Sequence, residues 1–167
     1  MKRPWNRSNS NIYSLVTFND FNDFNMNICT YVSVVNMNPR QYIISIDYNT
    51  LTYSYLAKNV SNIILQSLSI KNIGLVKNLG KKSGYNFDKQ KYLKHNNLIT
   101  GWKETSVLKN TSFLVELKDK KKIFEMNDHC LFLFSVKSFK NFANEFLTFD
   151  HLINKKIILW LQTITKS

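Results

Sequence analysis

Residues 25–39, NMNICTYVSVVNMNP, are the stretch that decides the fold of this chain. Residues 26–35 within it are rich in β-branched and aromatic side chains, which favours a strand. Asn36-Met37-Asn38-Pro39 then predicts a turn, because Asn and Pro punctuate regular structure. The next run, YIISI at residues 42–46, predicts a further strand. The chain is therefore expected to contain a β-sheet built around this stretch.

Further β-rich runs lie on both sides of this stretch. Residues 12–18 and 61–68 predict one strand each. Residues 113–118 alternate apolar and polar side chains, which predicts a half-exposed strand that Asp119-Lys120-Lys121-Lys122 breaks. Residues 130–136 (CLFLFSV) are nearly all apolar and predict a strand buried on both faces. Residues 155–164 (KKIILWLQTI) predict a last strand.

The predicted helices are short and fall in the middle of the chain. A turn at residues 47–50 caps a helix over 51–58, and a second short helix is expected over 87–94. Ile70, Ile73, Val76 and Leu79 recur at helical spacing, and Gly80 is expected to stop that helix. Several short strands with small helices inserted mid-chain predict a mainly β fold, a closed antiparallel barrel. Residues 1–167 show no repeat and no linker, so one domain is expected.

Composition excludes several classes of protein. A hydrophobic fraction of 44% with 14% aromatic residues supports a packed core and argues against disorder. No apolar run approaches the roughly 20 residues that cross a bilayer, and polar residues follow the basic N-terminus where a secretory signal has its apolar region. Cys29 and Cys130 lie far apart and form no disulfide framework. A cytoplasmic protein without a membrane segment is expected.

The net charge of +12 comes almost entirely from lysine. Arg3, Arg7 and Arg40 are the only arginines, although arginine is the side chain suited to bidentate phosphate and base contacts. The chain is rich in Asn, Ile, Lys, Phe and Tyr, which AT-rich codons encode, so drift in composition accounts for the charge. A nucleic-acid partner is not expected, and a basic RNA-associated protein stays as an alternative hypothesis.

Several common catalytic motifs are missing. The four glycines complete no GxGxxG turn, and no GxSxG elbow is present. The histidines are isolated, so no metal site is predicted. The stretch Gly80-Lys81-Lys82-Ser83-Gly84 faintly resembles a phosphate loop, but it is discounted because it lacks the upstream glycine and the strand-to-helix context.

A phosphate can still be held by hydroxyls, turn amides and a lysine. Asn49, Thr50 and Thr52 stand at one predicted helix start, and Ser83 and Lys89 flank another. The alternative is structural: Thr50 is an ordinary helix cap, and Lys89 is a solvated charge.

Four stretches together resemble the flavin reductase-like family of FMN-binding split barrels. Residues 25–39 are similar to its segment N-x-M-T-x-S-x-x-T-x-V-S-x-x-P. Residues 43–47, followed by Thr50 and Thr52, resemble its phosphate-side strand and turn. SGYNFDK at residues 83–89 resembles S-G-R-x-x-D-K, and DHCLF at residues 128–132 resembles G-D-H-x-L-F. The four stretches come in the family's order, and the resemblance spans roughly residues 12–139.

This resemblance implies an FMN-binding split β-barrel that forms a homodimer with flavin near the subunit interface. Thr30 and Tyr31 would then lie along the isoalloxazine, and His129, the catalytic candidate, near the face where nicotinamide docks. The other cofactor-binding candidates on the resemblance are Asn27, Ile28, Cys29, Ser45, Asn49, Thr50, Thr52, Ser83 and Lys89. The phosphate would lie toward the last five of these.

The implied activity is transfer of a hydride from NAD(P)H to FMN, with an electron-accepting partner downstream. The sequence departs from the pattern at Ile28, where a hydroxyl is common, at Tyr85, where the motif has arginine, and at Asn127, where it has glycine. The loss of the arginine favours a second hypothesis, a non-enzymatic FMN-binding redox or carrier protein.

Apolar residues also lie beyond the main barrel strands: Phe142, Phe146, Leu147, Phe149 and Leu152. They support the homodimer, or they close the bottom of the barrel.

Overall fold

The computed structural model describes residues 9–19, 23–58 and 63–158, which form nine strands and three α-helices. The strands are β1 (Tyr13–Phe18), β2 (Phe24–Met26), β3 (Val32–Met37), β4 (Arg40–Asp47), β5 (Ile63–Ser67), β6 (Ile99–Trp102), β7 (Thr105–Leu108), β8 (Phe113–Glu125) and β9 (His129–Asn141). The helices are α1 (Leu51–Ala57), α2 (Lys89–His95) and α3 (Phe149–Asn154). A 3₁₀ helix at Ile70–Leu75 and a π-helical turn at Lys77–Lys81 lie between β5 and α2.

Seven of these strands form one antiparallel sheet in the order β2-β1-β5-β8-β9-β4-β3. Its two outer strands, β2 and β3, lie at opposite ends of the sheet although they follow one another in the sequence. The residues between them, 27–31, are here called the crossing segment. In its middle Cys29 bridges to Tyr13, the first residue of β1, and at its end the Tyr31 carbonyl accepts a 3.0 Å hydrogen bond from the Ser45 N–H of β4. The crossing segment therefore closes the sheet into a barrel.

The core has two parts, which lie on opposite faces of β1 and β5. Leu15 and Leu65 point into a cluster with Ile44, Phe132 and Phe134 of the neighbouring strands. On the opposite face, a second cluster joins the sheet to the helices and to the β6–β7 hairpin: Val16, Ile64, Leu79, Leu93, Val107, Leu147 and Leu152. Because β1 and β5 are buried on both sides, most of their residues are apolar or small, and the buried Gln66 amide is satisfied because it donates to Ser14 Oγ and accepts from the Leu108 N–H.

Both mid-chain helices begin at polar caps, of which the one at the start of α1 is predicted from the sequence. The Thr50 hydroxyl accepts a hydrogen bond from the Tyr53 N–H at the start of α1, and the Asp88 carboxylate accepts one from Lys91 N–H at the start of α2. Neither helix exceeds seven residues. Among residues 9–19, 23–58 and 63–158, no helix has the length and apolar character needed to cross a bilayer.

The mainly β fold with short helices is confirmed, but several boundaries are wrong. Residues 26–35 do not form one strand, because the chain must leave β1 and reach β4 within the crossing segment. The helical residues from Ile70 adopt 3₁₀ and π turns that continue through Gly80 to Lys81. The β6–β7 hairpin has no counterpart in the sequence-based prediction.

The two long strands also differ from expectation. The predicted break at residues 119–122 is only an irregularity within β8, at which Asp119 takes a left-handed backbone with φ 53°. Glu116 in β8 is buried rather than exposed. In β9 burial alternates: Cys130, Phe132 and Phe134 are inside while the residues between them are half-exposed, so β9 is not buried on both faces.

The predicted last strand is wrong over residues 155–158, which form turns after α3, and its remainder lies outside the described residues. Leu147 and Leu152 belong to the core, which agrees with the alternative that this apolar region closes the barrel.

Glu116 anchors the β6–β7 hairpin to the barrel wall. Its carboxylate accepts hydrogen bonds from Lys103 Nζ (2.8 Å), Lys137 Nζ (2.7 Å) and Ser138 Oγ (2.8 Å). Burial by itself raises the pKa of Glu116, but these hydrogen bonds outweigh burial and hold its pKa at about 2. Lys103 lies in the turn of the hairpin, so this contact joins two parts of the chain that share no sheet.

Replacing Glu116 by Gln is expected to lower the free energy of unfolding by about 1–3 kcal/mol at neutral pH, because two lysines lose their anion. The folded pKa lies below the ordinary value, so this stabilisation is complete above pH 4.5 and disappears as the pH falls toward 2. Urea unfolding of both proteins from pH 7 to pH 2 measures the difference. Glu104→Gln, an exposed carboxylate in the same turn, is the control. A gap between Glu116→Gln and wild type that does not shrink in acid contradicts the prediction.

Candidate functional site

A cavity of about 230 Å³ lies between α1, the crossing segment and the chain that leads into α2. Seven of the predicted cofactor-binding residues line it: Asn27, Ile28, Asn49, Thr50, Thr52, Ser83 and Lys89. They come from three separate parts of the sequence, and the closure of the barrel brings them together. The charged side chains in the cavity wall are lysines, Lys81, Lys82 and Lys89, and no carboxylate is among the lining residues. The cavity therefore favours an anion.

Lys89 is the central cation of this cavity. Its side chain is buried, and its Nζ donates a 2.7 Å hydrogen bond to the Leu79 carbonyl. No carboxylate of the described residues lies within ion-pair distance of it. Burial lowers the pKa of Lys89 to about 8, because desolvation disfavours the ammonium. A buried ammonium held by a single carbonyl is poorly compensated, and an anion in the cavity would supply the missing countercharge.

Thr52 and Asn25 form a buried polar pair at the cavity wall. Asn25 Nδ2 donates a 3.0 Å hydrogen bond to Thr52 Oγ1, which leaves the threonine hydroxyl hydrogen for another acceptor. Asn25 Oδ1 is buried and has no hydrogen-bond partner. An unpartnered buried acceptor is costly, so this atom marks a place where a donor of a bound molecule fits.

The hydroxyl of Thr50 is used within the protein. It donates to the Asp47 carbonyl (2.7 Å) and accepts from the Tyr53 N–H (3.2 Å). The Asn49 N–H donates to the Asp47 side chain (2.7 Å), which fixes the same turn. Thr50 thus shapes the cavity wall as a helix cap, while Thr52, two residues further along, keeps its hydroxyl hydrogen available for a bound acceptor.

All five residues from Gly80 to Gly84, the stretch discounted as a phosphate loop, line the cavity. Gly80 packs against Ile28, and a Cβ there would lie 3.1 Å from Ile28 Cγ1. At Gly84 a Cβ would lie 2.9 Å from Asn25 Oδ1 and from Leu51, so a side chain does not fit without displacing the wall. The two glycines therefore let the backbone pack closely against Ile28, Asn25 and Leu51. They do not form a Walker-type loop.

A second group of predicted residues lies at the other end of the crossing segment. Tyr31 is 64% exposed, and its ring meets the His129 imidazole edge-on with 5.7 Å between ring centroids. His129 Nδ1 lies 2.9 Å from Asp128 Oδ1, and this hydrogen bond lowers the pKa of Asp128. Ser45 is held next to Tyr31 through the backbone, and Thr30 lies on the same segment. Tyr31 is exposed and the other three predicted residues are half-buried, so this group is here called the open surface.

Cys29 faces away from both groups. Its side chain is in the core, and its backbone N–H and carbonyl bond to Tyr13. Burial raises the pKa of its thiol to about 12, so Cys29 is an unreactive core residue.

Sequence reasoning missed several residues of the cavity. Asn25 lies in the quoted stretch but is not among the predicted site residues. Lys81 and Lys82 belong to the stretch that is discounted as a phosphate loop. The signal that could have identified the two lysines is the run Lys81-Lys82-Ser83 between two glycines. Within the described part of the chain, no three His, Cys, Asp or Glu side chains converge to hold a metal ion.

Comparison with known proteins identifies the fold. No protein-family model and no curated protein sequence matches the chain. Solved structures do match, among them an FMN-binding protein from Thermus thermophilus, with a TM-score of 0.70 and 16% identity over 84% of this chain and 77% of that one. Flavoredoxin from Methanosarcina acetivorans matches with a TM-score of 0.67 and 16% identity, over 85% of this chain and 76% of that one.

The flavin reductase of styrene monooxygenase from Pseudomonas putida S12 matches with a TM-score of 0.65 and 12% identity, over 80% of this chain and 82% of that one. At such low identity these matches bear on the fold. The architecture of this chain is that of the FMN-binding split barrels.

Proposed function

We propose that this chain is an FMN-binding flavin reductase that takes a hydride from NAD(P)H. The observation that carries the proposal is the cavity around Lys89, which gathers residues from three motifs in a barrel similar to those of flavin proteins. Flavin reductases and FMN-binding proteins are among its structural neighbours.

The residues of the cavity fit the phosphate end of FMN. A phosphomonoester carries close to two negative charges at neutral pH and needs several donors. Lys89 offers a buried ammonium, and Thr52 offers a hydroxyl donor. Asn25 Oδ1, which lacks a partner, suits a hydroxyl of the sugar-like chain next to the phosphate. The group as a whole therefore matches a phosphate attached to a polyol.

Bound FMN would supply the hydride chemistry itself. The part of this chain is then to hold the phosphate in the lysine-lined cavity and to leave the ring system along the crossing segment. Tyr31 at the exposed end of that segment would lie along the ring system, and His129 beside it would position the nicotinamide. Asp128 holds the His129 ring in a fixed orientation through Nδ1. No side chain is required to act as an acid, a base or a nucleophile.

A non-enzymatic FMN carrier is the second candidate. Tyr85 stands where the resembling motif has arginine, so one cation that would grip phosphate or nicotinamide is missing. Oxidation of NADH and NADPH with FMN present separates the two candidates, since a carrier binds flavin without turnover. A cytoplasmic location belongs to the proposal, and the unpaired thiols of Cys29 and Cys130 support it.

The purified protein is expected to be yellow. Flavin absorption between about 370 and 460 nm, with FMN identified after heat release, measures this. A colourless protein that fails to take up added FMN overturns the proposed function, including its carrier form.

The phosphate end can be tested by comparing FMN with riboflavin, which lacks the phosphate. Thr52→Val and Lys89→Met are each expected to weaken FMN binding by about 1–3 kcal/mol, because each removes a donor to the phosphate. Riboflavin binding should change far less. Thr52→Ser, which keeps the hydroxyl, and Lys91→Met, an exposed lysine on the same helix, are the controls. An unaltered ratio of FMN to riboflavin affinity means that the phosphate lies elsewhere.

The affinity for FMN should also depend on pH. The pKa of Lys89 is about 8, below its ordinary value, so the ammonium loses its proton above that pH. FMN affinity is therefore expected to fall by up to about tenfold per pH unit above pH 8, while riboflavin affinity stays flat. Lys89→Met should abolish the slope. Equal slopes for the two flavins would contradict the role of Lys89.

A homodimer completes the proposal. Within the described residues β3 pairs only with β4, and Val34, Val35 and Met37 on it are 46–69% exposed. An exposed apolar edge strand invites pairing with another chain, and the neighbouring Tyr31 would place that contact beside the site. The partner that we propose for the exposed edge of β3 is the same edge of a second copy of this chain.

Sedimentation at micromolar concentration is expected to show a dimer, and Val35→Lys should shift it to monomer because a charge would be buried at the contact. Ile123→Lys, an apolar residue of similar exposure near the end of β8, is the control. A wild-type monomer with FMN bound excludes the dimer.

A further inference from the structure

A separate cavity of about 220 Å³ opens at one end of the barrel interior and is here called the barrel-mouth cavity. Four of its lining residues belong to the core cluster inside the barrel: Tyr42, Phe113, Val115 and Val136. The other three are exposed and form its rim: Arg40, Phe139 and Asn141. None of the roles proposed above uses this cavity.

The barrel-mouth cavity lies far from the residues proposed to hold flavin. Val136 in its wall is seven positions beyond His129 on the same strand, β9. An extended strand rises by about 3.3 Å per residue, so these two residues are about 23 Å apart. The barrel-mouth cavity and the lysine-lined cavity share no lining residue. A ligand at the barrel mouth is therefore independent of the proposed function.

A β-bulge in β9 builds one wall of the barrel-mouth cavity. Between Val136 and Ser138 the pairing with β8 shifts by one residue, so that Lys137 is an extra residue on β9. Side chains of a regular strand alternate between its two faces, yet Val136 and Phe139, three positions apart, both line the cavity. The bulge therefore turns Phe139, and Asn141 two positions further, toward the cavity.

Glu116 holds this bulge in place from the opposite face of the sheet. Its carboxylate accepts hydrogen bonds from Lys137 Nζ and Ser138 Oγ, which belong to consecutive residues and would point to opposite faces of a regular strand. The contact that anchors the β6–β7 hairpin thus also fixes the shape of the cavity wall. Bulges commonly redirect side chains beside functional sites.

Three hydrogen-bond donors surround the entrance of the cavity: the Arg40 guanidinium, the Tyr42 hydroxyl and the Asn141 amide. Among the residues that the structure describes, none of these three groups has a hydrogen-bond or ion-pair partner. Burial raises the pKa of Tyr42 and the nearby Arg40 only opposes this shift, so the hydroxyl keeps its proton at neutral pH. No carboxylate lines the cavity. The entrance is therefore built to donate hydrogen bonds to an anion.

Arg40 indicates which anion this is. It is the one arginine within residues 9–19, 23–58 and 63–158, in a chain whose other described cations are lysines and histidines. The guanidinium is a planar fork whose paired N–H groups match the two oxygens of a carboxylate. A single fork at the edge of an apolar cavity suits one carboxylate, with the rest of the ligand inside.

The interior of the cavity suits a flat ring. Phe113 is fixed in its wall by edge-on contacts with Tyr13 and Phe146, with ring centroids 6.3 Å and 6.1 Å apart. Phe139 is 62% exposed, and its ring meets no other aromatic ring of the described residues. Aromatic rings pack on one another in offset-stacked or edge-to-face geometry. A volume of about 220 Å³ is below the usual range for drug-sized ligands, so the ligand has a single ring.

We propose that the barrel-mouth cavity binds a small aromatic carboxylate, with its ring against Phe139 and its carboxylate on Arg40. Tyr42 and Asn141 donate hydrogen bonds to the lone pairs of the carboxylate that Arg40 leaves unused. The cavity binds this ligand whether or not flavin is present, because no residue of the flavin site takes part.

Calorimetric titration of the full chain with benzoate tests the role of Arg40. Arg40→Gln is expected to weaken benzoate binding about ten- to a hundredfold, because the charge-assisted fork is lost. Lys140→Gln removes the same charge from an exposed position on the opposite face of β9 and should leave benzoate binding unchanged. Benzamide, the neutral analogue, should bind wild type more weakly than benzoate and should not be weakened further by Arg40→Gln.

Hexanoate, a carboxylate without a ring, tests the role of Phe139. Phe139→Ala is expected to weaken benzoate about two- to tenfold and hexanoate less, because a stacked or edge-on ring contact is lost. Phe142→Ala, a phenylalanine of similar exposure just beyond β9, is the control. Arg40 and Phe139 are both exposed, so these variants should melt at the wild-type temperature.

Four results would overturn the assignment. The first is a chain that does not bind benzoate, and the second is equal benzoate affinity of wild type and Arg40→Gln. Equal affinity for hexanoate and benzoate would mean that the cavity does not recognise a ring. Displacement of benzoate by FMN would place benzoate in the flavin site. Benzoate binding by a chain that takes up no flavin would leave this assignment standing while the proposed function fails.

Discussion

The structure depends on the crossing segment, residues 27–31, which pairs with β1 at one end and with β4 at the other. Its hydrogen bonds to β1 and β4 draw the two halves of the sheet together around the core, while the outer edge of β3 stays exposed. The same five residues run past the cavity and the open surface beside His129. One constraint, the closure of the barrel, therefore also determines where a ligand can lie.

Closure has an electrostatic consequence. Helix α2 packs on the barrel with Lys89 inside, where the Leu79 carbonyl is the one hydrogen-bond acceptor that residues 9–19, 23–58 and 63–158 offer its ammonium, and burial disfavours its charge. The cost of a buried ammonium is acceptable to a protein when a ligand supplies the opposite charge. The neighbouring Asn25 Oδ1 is a second unmet polar group, an acceptor rather than a donor. The buried charge of Lys89 therefore favours an anionic ligand, and the unpartnered Asn25 Oδ1 favours one that also carries hydroxyl groups.

Much of the fold could be predicted from local pattern, and the errors have physical causes. Strands β1, β4 and β5 and the cap Thr50 follow from side-chain type and spacing. The division of residues 24–37 into two strands cannot be predicted in this way. A β-rich sequence does not show where a strand changes its hydrogen-bonding partner. The burial of Glu116 depends on Lys103 and Lys137, which reach it from another hairpin and another strand. Residues 155–158 are apolar in part yet form turns, since α3 packs into the core just before them.

The sequence by itself determined the class of fold, the short helices and a set of candidate residues spread over four motifs. The tertiary structure alone decided which of those candidates meet: Thr52, Ser83 and Lys89 share a cavity, Tyr31 and His129 share a surface, and Cys29 belongs to the core. It also gave Lys81 and Lys82 a place in the cavity and left Tyr85 exposed. The physical reason is that propensity and capping act over a few neighbouring residues, whereas burial and charge pairing are properties of groups that only the closed barrel brings together.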